Sequence, residues 1–236
     1  MPGKTPAIDV VEHYYSHFYS KVHGCGTGGL ANNRLQRDLE HTRTGAHYDT
    51  VLELGAGDLG HITWASHSFR RYVAADIRTP PTLTGWEPLD GAKLPDRAGY
   101  YFAKFDARKI PFADETFDRL VATCLVMHLD EPMDALVEWR RAVRVGGVLD
   151  ILVPCDPGLL VRAYRTLVSR RRALSLGFNE FDLVNALDHK SPVSSLLVIA
   201  RHVFTHDTLD VNWYPFRVPS WNLNSHLVLR VRRSGP

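Results

Sequence analysis

Thr50-Val51-Leu52-Glu53-Leu54-Gly55-Ala56-Gly57-Asp58-Leu59-Gly60 is the most informative stretch of the chain. A short run rich in apolar side chains stops at two glycines one residue apart, which is the form of a buried strand entering a tight turn. Glycine at such a turn lets the backbone approach a ligand closely. A helix expected behind it, near residues 60–68, would offer free N–H groups and the positive end of its dipole. Further along, strands are expected over 72–75, ending on Asp76, over 100–105, ending on Asp106, and over 117–123 and 148–153. A helix is expected over 132–144, with Pro132 in its first turn and Gly146-Gly147 closing it. This alternation indicates an α/β fold with a parallel sheet. Open sheets of that kind bind ligands at the carboxyl ends of their strands, where Asp76 and Asp106 fall.

On the N-terminal side, Ile8, Val11, Tyr15, Phe18 and Val22 recur at helical spacing. A glycine-rich loop at 24–29, able to hinge over a ligand, and a helix over 32–42 follow. Beyond residue 156, helices are expected over 158–172, 181–189 and 192–202, then two closing segments at 203–216 and 223–232. In the last, Leu227, Leu229 and Val231 alternate with Val228, Arg230 and Arg232, the pattern of a strand with one face less buried.

Composition narrows the class. The chain has 236 residues, is 44% hydrophobic and carries 28 basic against 26 acidic residues, a net charge of +2. That is too apolar and too weakly charged for disorder, and it argues against a nucleic-acid binder working through a broad basic field. Cys25, Cys124 and Cys155 lie far apart without CxxC spacing, which suggests a reducing compartment and no disulfide framework. Lys4, Asp9 and Glu12 precede any long apolar run, unlike a signal peptide. No stretch approaches the ~18 apolar residues of a spanning helix. A soluble cytoplasmic protein is expected, with no nucleic-acid and no membrane partner. Of the basic residues 22 are Arg and 6 are Lys, a skew that most simply reflects a GC-rich, bacterial coding sequence.

The glycine turn admits two chemistries. Gly55-x-Gly57-x-x-Gly60 literally fits a dinucleotide fingerprint, and so an NAD(P)-dependent oxidoreductase. Glu53 separates the readings: a carboxylate there is unfavourable beside a pyrophosphate and favourable beside a cationic ligand. Asp76 could accept from ribose hydroxyls in either case. Asp106, a third carboxylate on the same edge, suits an adenine amine.

Val51-Leu52-Glu53-Leu54-Gly55-Ala56-Gly57, Ala75-Asp76, Phe105-Asp106-Ala107, Ile110-Pro111-Phe112, Glu115-Thr116-Phe117-Asp118, Thr123 to Leu129, and Leu136 to Leu149 occur in an order and spacing that resemble the class I S-adenosylmethionine-dependent methyltransferases. Within that family they resemble the small-molecule subgroup containing the quinone-biosynthesis enzymes. The resemblance covers roughly residues 48–156. It implies a Rossmann-like, seven-stranded, mostly parallel sheet with helices on both faces and an antiparallel last strand. It also implies a helical N-terminal lid over 1–45, a cofactor-binding core over 46–156, a helical acceptor-site insertion over 157–202 before the sixth strand, and closing strands over 203–236, all in one domain. The implied cofactor is S-adenosylmethionine, leaving as S-adenosylhomocysteine. Gly55, Ala56 and Gly57 would hold its methionine part, Asp76 and Ile77 its ribose side, and Asp106 and Ala107 its adenine. Thr123 and Cys124 would pass the sulfonium, and Glu53 and Tyr14 would sit near the methionine end. Tyr15 is the alternative to Tyr14 at the methionine carboxylate. The family commonly has a third glycine at the position of Leu59.

Methyl transfer is an in-line displacement, so placing the acceptor supplies much of the rate, and a base is needed only when the nucleophile must lose a proton. His128, just past the fourth strand, is the candidate base; His189 beside Asp188 is a weaker one. No metal site is expected, since Thr123 and Cys124 stand where metal-dependent relatives carry an acid. Arg162, Arg165, Arg170, Arg171 and Arg172 could grip an acidic acceptor or form a solvated helix face. The expected activity is methylation of O, N or C on a small metabolite, with natural-product or sugar acceptors favoured. A non-catalytic S-adenosylmethionine-binding module is the other alternative.

Overall fold

The computed structural model describes residues 6–24, 26–80, 82–89, 91 and 93–235. Among them, one sheet carries eight strands: β1 (His47–Leu54), β2 (Ser68–Asp76), β3 (Glu87–Leu89), β4 (Gly99–Lys104), β5 (Phe117–Thr123), β6 (Val143–Pro154), β7 (Thr208–Tyr214) and β8 (His226–Arg232). Their order is β3-β4-β2-β1-β5-β6-β8-β7, with β8 antiparallel to both its neighbours and the rest parallel. Seven strands were expected; the eighth is the short β3, which adds to the edge beside β4.

Register sets the functional edge. Leu54 lies beside Ala75 on one side and Ala122 on the other, and Thr123 beside Leu152. Gly55, Asp76 and Thr123 are therefore brought level. Alternate residues of β1 face opposite ways. Leu52 and Leu54 join the larger core with Leu136 and Trp139 of α4 (Pro132–Ala142) and Leu196 and Ala200 of α8 (Val193–Val203). Val51 joins the other face with Tyr72, Val121 and Leu39 of α3 (Gly26–Glu40). Helices thus cover both faces. A third, smaller core holds Tyr14 of α1 (Pro6–His17), Val22 of α2 (Tyr19–His23), Ala173, Phe178 and Phe181. It joins the N-terminal helices to those between β6 and β7: α5 (Leu159–Tyr164), a π-helical turn (Arg165–Arg170), α6 (Arg171–Ser175) and α7 (Phe181–Asp188).

Four local expectations are corrected. The glycine turn is followed by a 3-10 turn, His61–Trp64, and not by a helix over 60–68. Gly146-Gly147 lies inside β6, where the register with β5 shifts; a Cβ on Gly147 would meet the Asp118 carbonyl oxygen at 2.9 Å. The residues from Gly26 onward belong to α3 and not to a hinge loop; Cys25 lies outside the described residues. Finally, β8 is buried on both faces up to Arg232, because β7 covers its outer edge and α3 covers Arg230.

Arg230 belongs to a buried network that fastens α3 to the sheet. Arg119 of β5 is fully buried, with Nε 2.9 Å from Asp150 Oδ2 and Nη2 2.7 Å from Glu40 Oε1. Arg43 forks onto Asp150 at 2.8 and 2.6 Å. His61 and His67 approach Glu40 at 3.0 and 3.2 Å. Arg230 donates to the Leu39 and Asp38 carbonyls at 3.0 and 2.8 Å, capping the end of α3. Burial alone would raise the Glu40 pKa, but bonds from His61, His67 and Arg119 hold it well below the usual carboxylate range. Several arginines therefore have specific structural partners, whatever the coding composition behind them.

Candidate active site

The turn after β1 runs through three left-handed residues: Gly55 (φ 69°), Gly57 (φ 54°) and Leu59 (φ 64°). Leu59 holds a conformation that costs a side chain on the order of 1 kcal/mol, and it does so while packed in the core. A Cβ on Gly55 would meet Leu125 at 3.1 Å, whereas no atom of the described residues lies within 4 Å of one on Gly57. The space beside Gly57 is open.

Asp76, at the end of β2, shapes this turn. One carboxylate oxygen accepts the Gly57 N–H at 3.0 Å and the other the Arg78 N–H at 2.9 Å. Each oxygen keeps a lone pair for a further donor. Ala56 is buried and donates to the Ala75 carbonyl. Ile77 beside Asp76 is 61% exposed, a large apolar surface at the cleft rim. Asp106 lies at the next strand end, forked by Arg108 at 2.7 and 3.1 Å, and its pKa is lowered mainly by that contact. Ala107 is buried, its carbonyl accepting the Trp139 indole N–H at 2.8 Å. The Thr123 hydroxyl is buried without a partner among the described residues. Cys124 adopts φ 53°, and burial pushes its thiol up to about 12.

Two of the candidate residues, Glu53 and Tyr14, are buried. Glu53 is enclosed beneath the turn, where Tyr72 donates to it at 3.0 Å and burial raises its pKa. Tyr14 is turned into the lid's own core, its hydroxyl 2.9 Å from His23 Nε2. The lid residues that span the cleft are Tyr15 and Tyr19, whose rings stack at 5.0 Å. Arg78 lies over the Tyr15 ring at 4.3 Å, and the Tyr15 hydroxyl donates to Asp188 Oδ2 at 2.6 Å. Tyr15 thus touches the cofactor side through Arg78 and the insertion through Asp188.

His128 sits in a short 3-10 turn, Val126–His128, after β5. Its Nδ1 is 3.0 Å from Asp188 Oδ2 and 3.1 Å from the Asp188 carbonyl oxygen. His189 does not pair with its neighbour Asp188: its Nδ1 is 2.6 Å from Asp156 Oδ2, which Arg165 also holds at 2.7 Å. The two imidazoles meet edge to face at 5.0 Å. Burial pushes the Asp188 pKa up, but the His128 and Tyr15 contacts bring it below the ordinary value. Asp156 is likewise raised by burial and lowered further by His189 and Arg165, to about 2. Ligand atoms of His128, Asp188 and His189 lie within 4.8 Å of one another, a grouping with metal-binding potential that the sequence did not show. Each of the three already has a hydrogen-bond partner at one atom: His128 Nδ1 and Asp188 Oδ2 with each other, His189 Nδ1 with Asp156. Of the arginines at 162–172, Arg165 alone bonds a site residue among the described contacts; Arg170 pairs with Asp182 and Arg172 donates to the Lys21 carbonyl.

The pairing of Asp188 and Asp156 with the two histidines was not legible in sequence, since the partners are separated by 60 and 33 positions. The one signal was negative: adjacent residues rarely face each other, so Asp188 had to have another partner.

Comparison with known proteins finds methyltransferases. Residues 52–151 match a family model described as a methyltransferase domain. The chain is 27% identical over 152 residues to a phosphatidylethanolamine N-methyltransferase of Cereibacter sphaeroides, a match covering 61% of this chain and 68% of that one. It is 30% identical over 110 residues to the ubiquinone/menaquinone biosynthesis C-methyltransferase UbiE of Paracoccus denitrificans, covering 47% of this chain and 43% of that one. Among solved structures, the N-methyltransferase NodS of Bradyrhizobium japonicum in complex with S-adenosylhomocysteine superposes with a TM-score of 0.59 at 14% identity, covering 98% and 100% of the two chains.

Proposed function

We propose that this chain, a class I S-adenosylmethionine-dependent methyltransferase, methylates a hydroxyl oxygen of a small polar metabolite, a sugar or a hydroxylated natural product. The observation that carries this reading is the His128–Asp188 pair, since a neutral hydroxyl is a weak nucleophile that gains most from a base taking its proton as it attacks.

The cofactor is S-adenosylmethionine, and the residues fit it. Open space beside Gly57, a free lone pair on each Asp76 oxygen and the unpartnered Thr123 hydroxyl offer room, acceptors and a polar contact along one edge. Gly55, Ala56, Gly57, Asp76, Ile77, Asp106, Ala107, Thr123 and Cys124 would hold it, with Arg108 swinging off Asp106. When bound, S-adenosylmethionine supplies a methyl group on a positively charged sulfur. The dinucleotide alternative loses its premise, because it needs a helix N-terminus behind the glycine turn to meet a pyrophosphate, and a four-residue 3-10 turn stands there.

With its proton on Nδ1 and donated to Asp188, His128 keeps the Nε2 lone pair to take the acceptor's hydroxyl proton. The Asp188 charge stabilises the imidazolium that forms. Tyr15, bonded to Asp188 and stacked with Arg78, keeps the lid down and water out. His189, oriented by Asp156 and Arg165, offers a second polar group for a neighbouring hydroxyl of the acceptor.

The test is transfer of an isotopically labelled methyl group from S-adenosylmethionine to a panel of sugars, phenols and amines. Label is expected in a new methyl ether. Label on nitrogen or carbon alone would overturn the oxygen assignment.

A further inference from the structure

Among the described residues no helix is long and apolar enough to cross a membrane. The surface at the start of the insertion nevertheless shows water a large apolar area. Residues 215–223, between β7 and β8, expose Phe216 (62%), Val218 (48%), Trp221 (41%) and Leu223 (53%). Beside them Leu159 and Leu160 at the start of α5 are 66% and 38% exposed. Together these side chains present on the order of 500 Å², at the upper end of what a monomer leaves uncovered.

The loop is built to hold them outward. Asn224 is fully buried, and its side chain accepts the Phe216 N–H at 2.9 Å while donating to the Val218 and Ser220 carbonyls at 2.8 Å each. Asn222 ties the loop to α5, its side chain accepting the Leu159 N–H at 3.2 Å and its carbonyl the Leu160 N–H at 3.3 Å. A Cβ on Gly158 would lie 2.0 Å from the Trp221 carbonyl oxygen, so the two segments are in direct contact. Six apolar side chains fastened this way cannot bury themselves by local collapse.

The charge around them has one sign. Residues 157–162 and 215–224 contain Arg162 and Arg217 and no Asp or Glu. Both arginines are exposed, and neither side chain has a carboxylate partner among the described residues. An apolar tip bearing Trp and Phe, flanked by unpaired arginines, matches the boundary between lipid chains and anionic headgroups.

We propose that this surface docks the protein on an anionic lipid bilayer, with Phe216, Trp221 and Leu223 entering the headgroup boundary and Arg162 and Arg217 on the phosphates. Docking of this kind does not depend on the acceptor or on the reaction.

The experiment is co-sedimentation of the full chain with vesicles of phosphatidylglycerol and phosphatidylcholine, beside pure phosphatidylcholine vesicles. Binding to the anionic vesicles is expected to exceed that to the neutral ones, and to fall as salt is raised. The Phe216→Ser/Trp221→Ser and Arg162→Glu/Arg217→Glu variants should each lose at least about tenfold in partitioning. Unchanged thermal midpoints and S-adenosylhomocysteine affinity would show that both remain folded. Failure of the folded parent chain to sediment with anionic vesicles would overturn the proposal, as would equal binding by both folded double variants. A concentration-dependent dimer abolished by the serine variant, with no vesicle binding, would assign the patch to a second copy of this chain and equally overturn it.

Discussion

His128 and Asp188, sixty positions apart in sequence, meet at 3.0 Å between Nδ1 and Oδ2, and they do so under a lid tyrosine that donates to the same carboxylate oxygen. The pair joins the end of β5 to the end of α7, so the proposed base and the acid beside it come from segments far apart in the chain.

Asp188→Asn should leave the fold intact and remove the charge that supports His128. A positioned base contributes about 10²–10⁴-fold, so kcat is expected to fall within that range while S-adenosylhomocysteine affinity stays level. His128→Ala should fall at least as far. Steady-state rates with calorimetric binding distinguish the two effects; a fully active Asp188→Asn enzyme would remove the dyad from the mechanism.

The open space at Gly57 makes a cofactor test. Gly57→Ala adds a methyl group that touches no atom of the described residues within 4 Å, so its stability cost is the strain of a left-handed alanine, about 1 kcal/mol. S-adenosylhomocysteine affinity should drop by about tenfold, equivalent to ~1.4 kcal/mol, and by more in Asp76→Ala. Calorimetry showing both variants with the parent's Kd would move the cofactor elsewhere.

Leu59 offers an unusual stability ordering. Leu59→Ala loses buried side chain, typically ~2–5 kcal/mol, and keeps the strained φ of 64°. Leu59→Gly loses slightly more side chain and sheds strain of about 1–2 kcal/mol. Both should be less stable than the parent, with glycine above alanine. Urea denaturation gives the order directly; alanine above glycine would contradict the left-handed turn.

Arg119→Met takes one partner from both Glu40 and Asp150, which keep His61, His67 and Arg43; loss of one partner of a buried pair costs about 3–5 kcal/mol, and the retained partners set that as the upper bound. Thermal and urea unfolding should show it.

Acid should act through the same kind of group. Asp156 has a folded pKa of about 2 against an ordinary 3.8, so the native state holds fewer protons than the unfolded chain in that interval. Its stabilising contribution is whole above about pH 5 and is lost as pH falls from about 4 towards 2. Asp156→Asn should flatten that part of the stability–pH curve; an unchanged curve would show that His189 and Arg165 do not hold the carboxylate.

Much of the sheet was readable from local pattern. The run ending at Gly55-Ala56-Gly57, the aspartates at 76 and 106, and the bounds of β5 follow from alternation and turn chemistry alone. The missed features are those set by distant partners. Arg119 reads as a polar interruption in an apolar strand; only the arrival of Glu40 and Asp150 makes it a core residue. The missing helix after the turn had no local signature, because α3 from the N-terminal segment already covers that face. Tyr14 and Tyr15 are indistinguishable in sequence, and a helical rotation of one residue decides which faces the cleft.

Tyr15 has a consequence that concerns timing. Its hydroxyl completes the surroundings of Asp188 only while α1 lies across Arg78. An enzyme with that helix raised would lack part of its proton-transfer apparatus as well as its cover. Under the proposed mechanism, readiness for proton transfer would be tied to enclosure by α1.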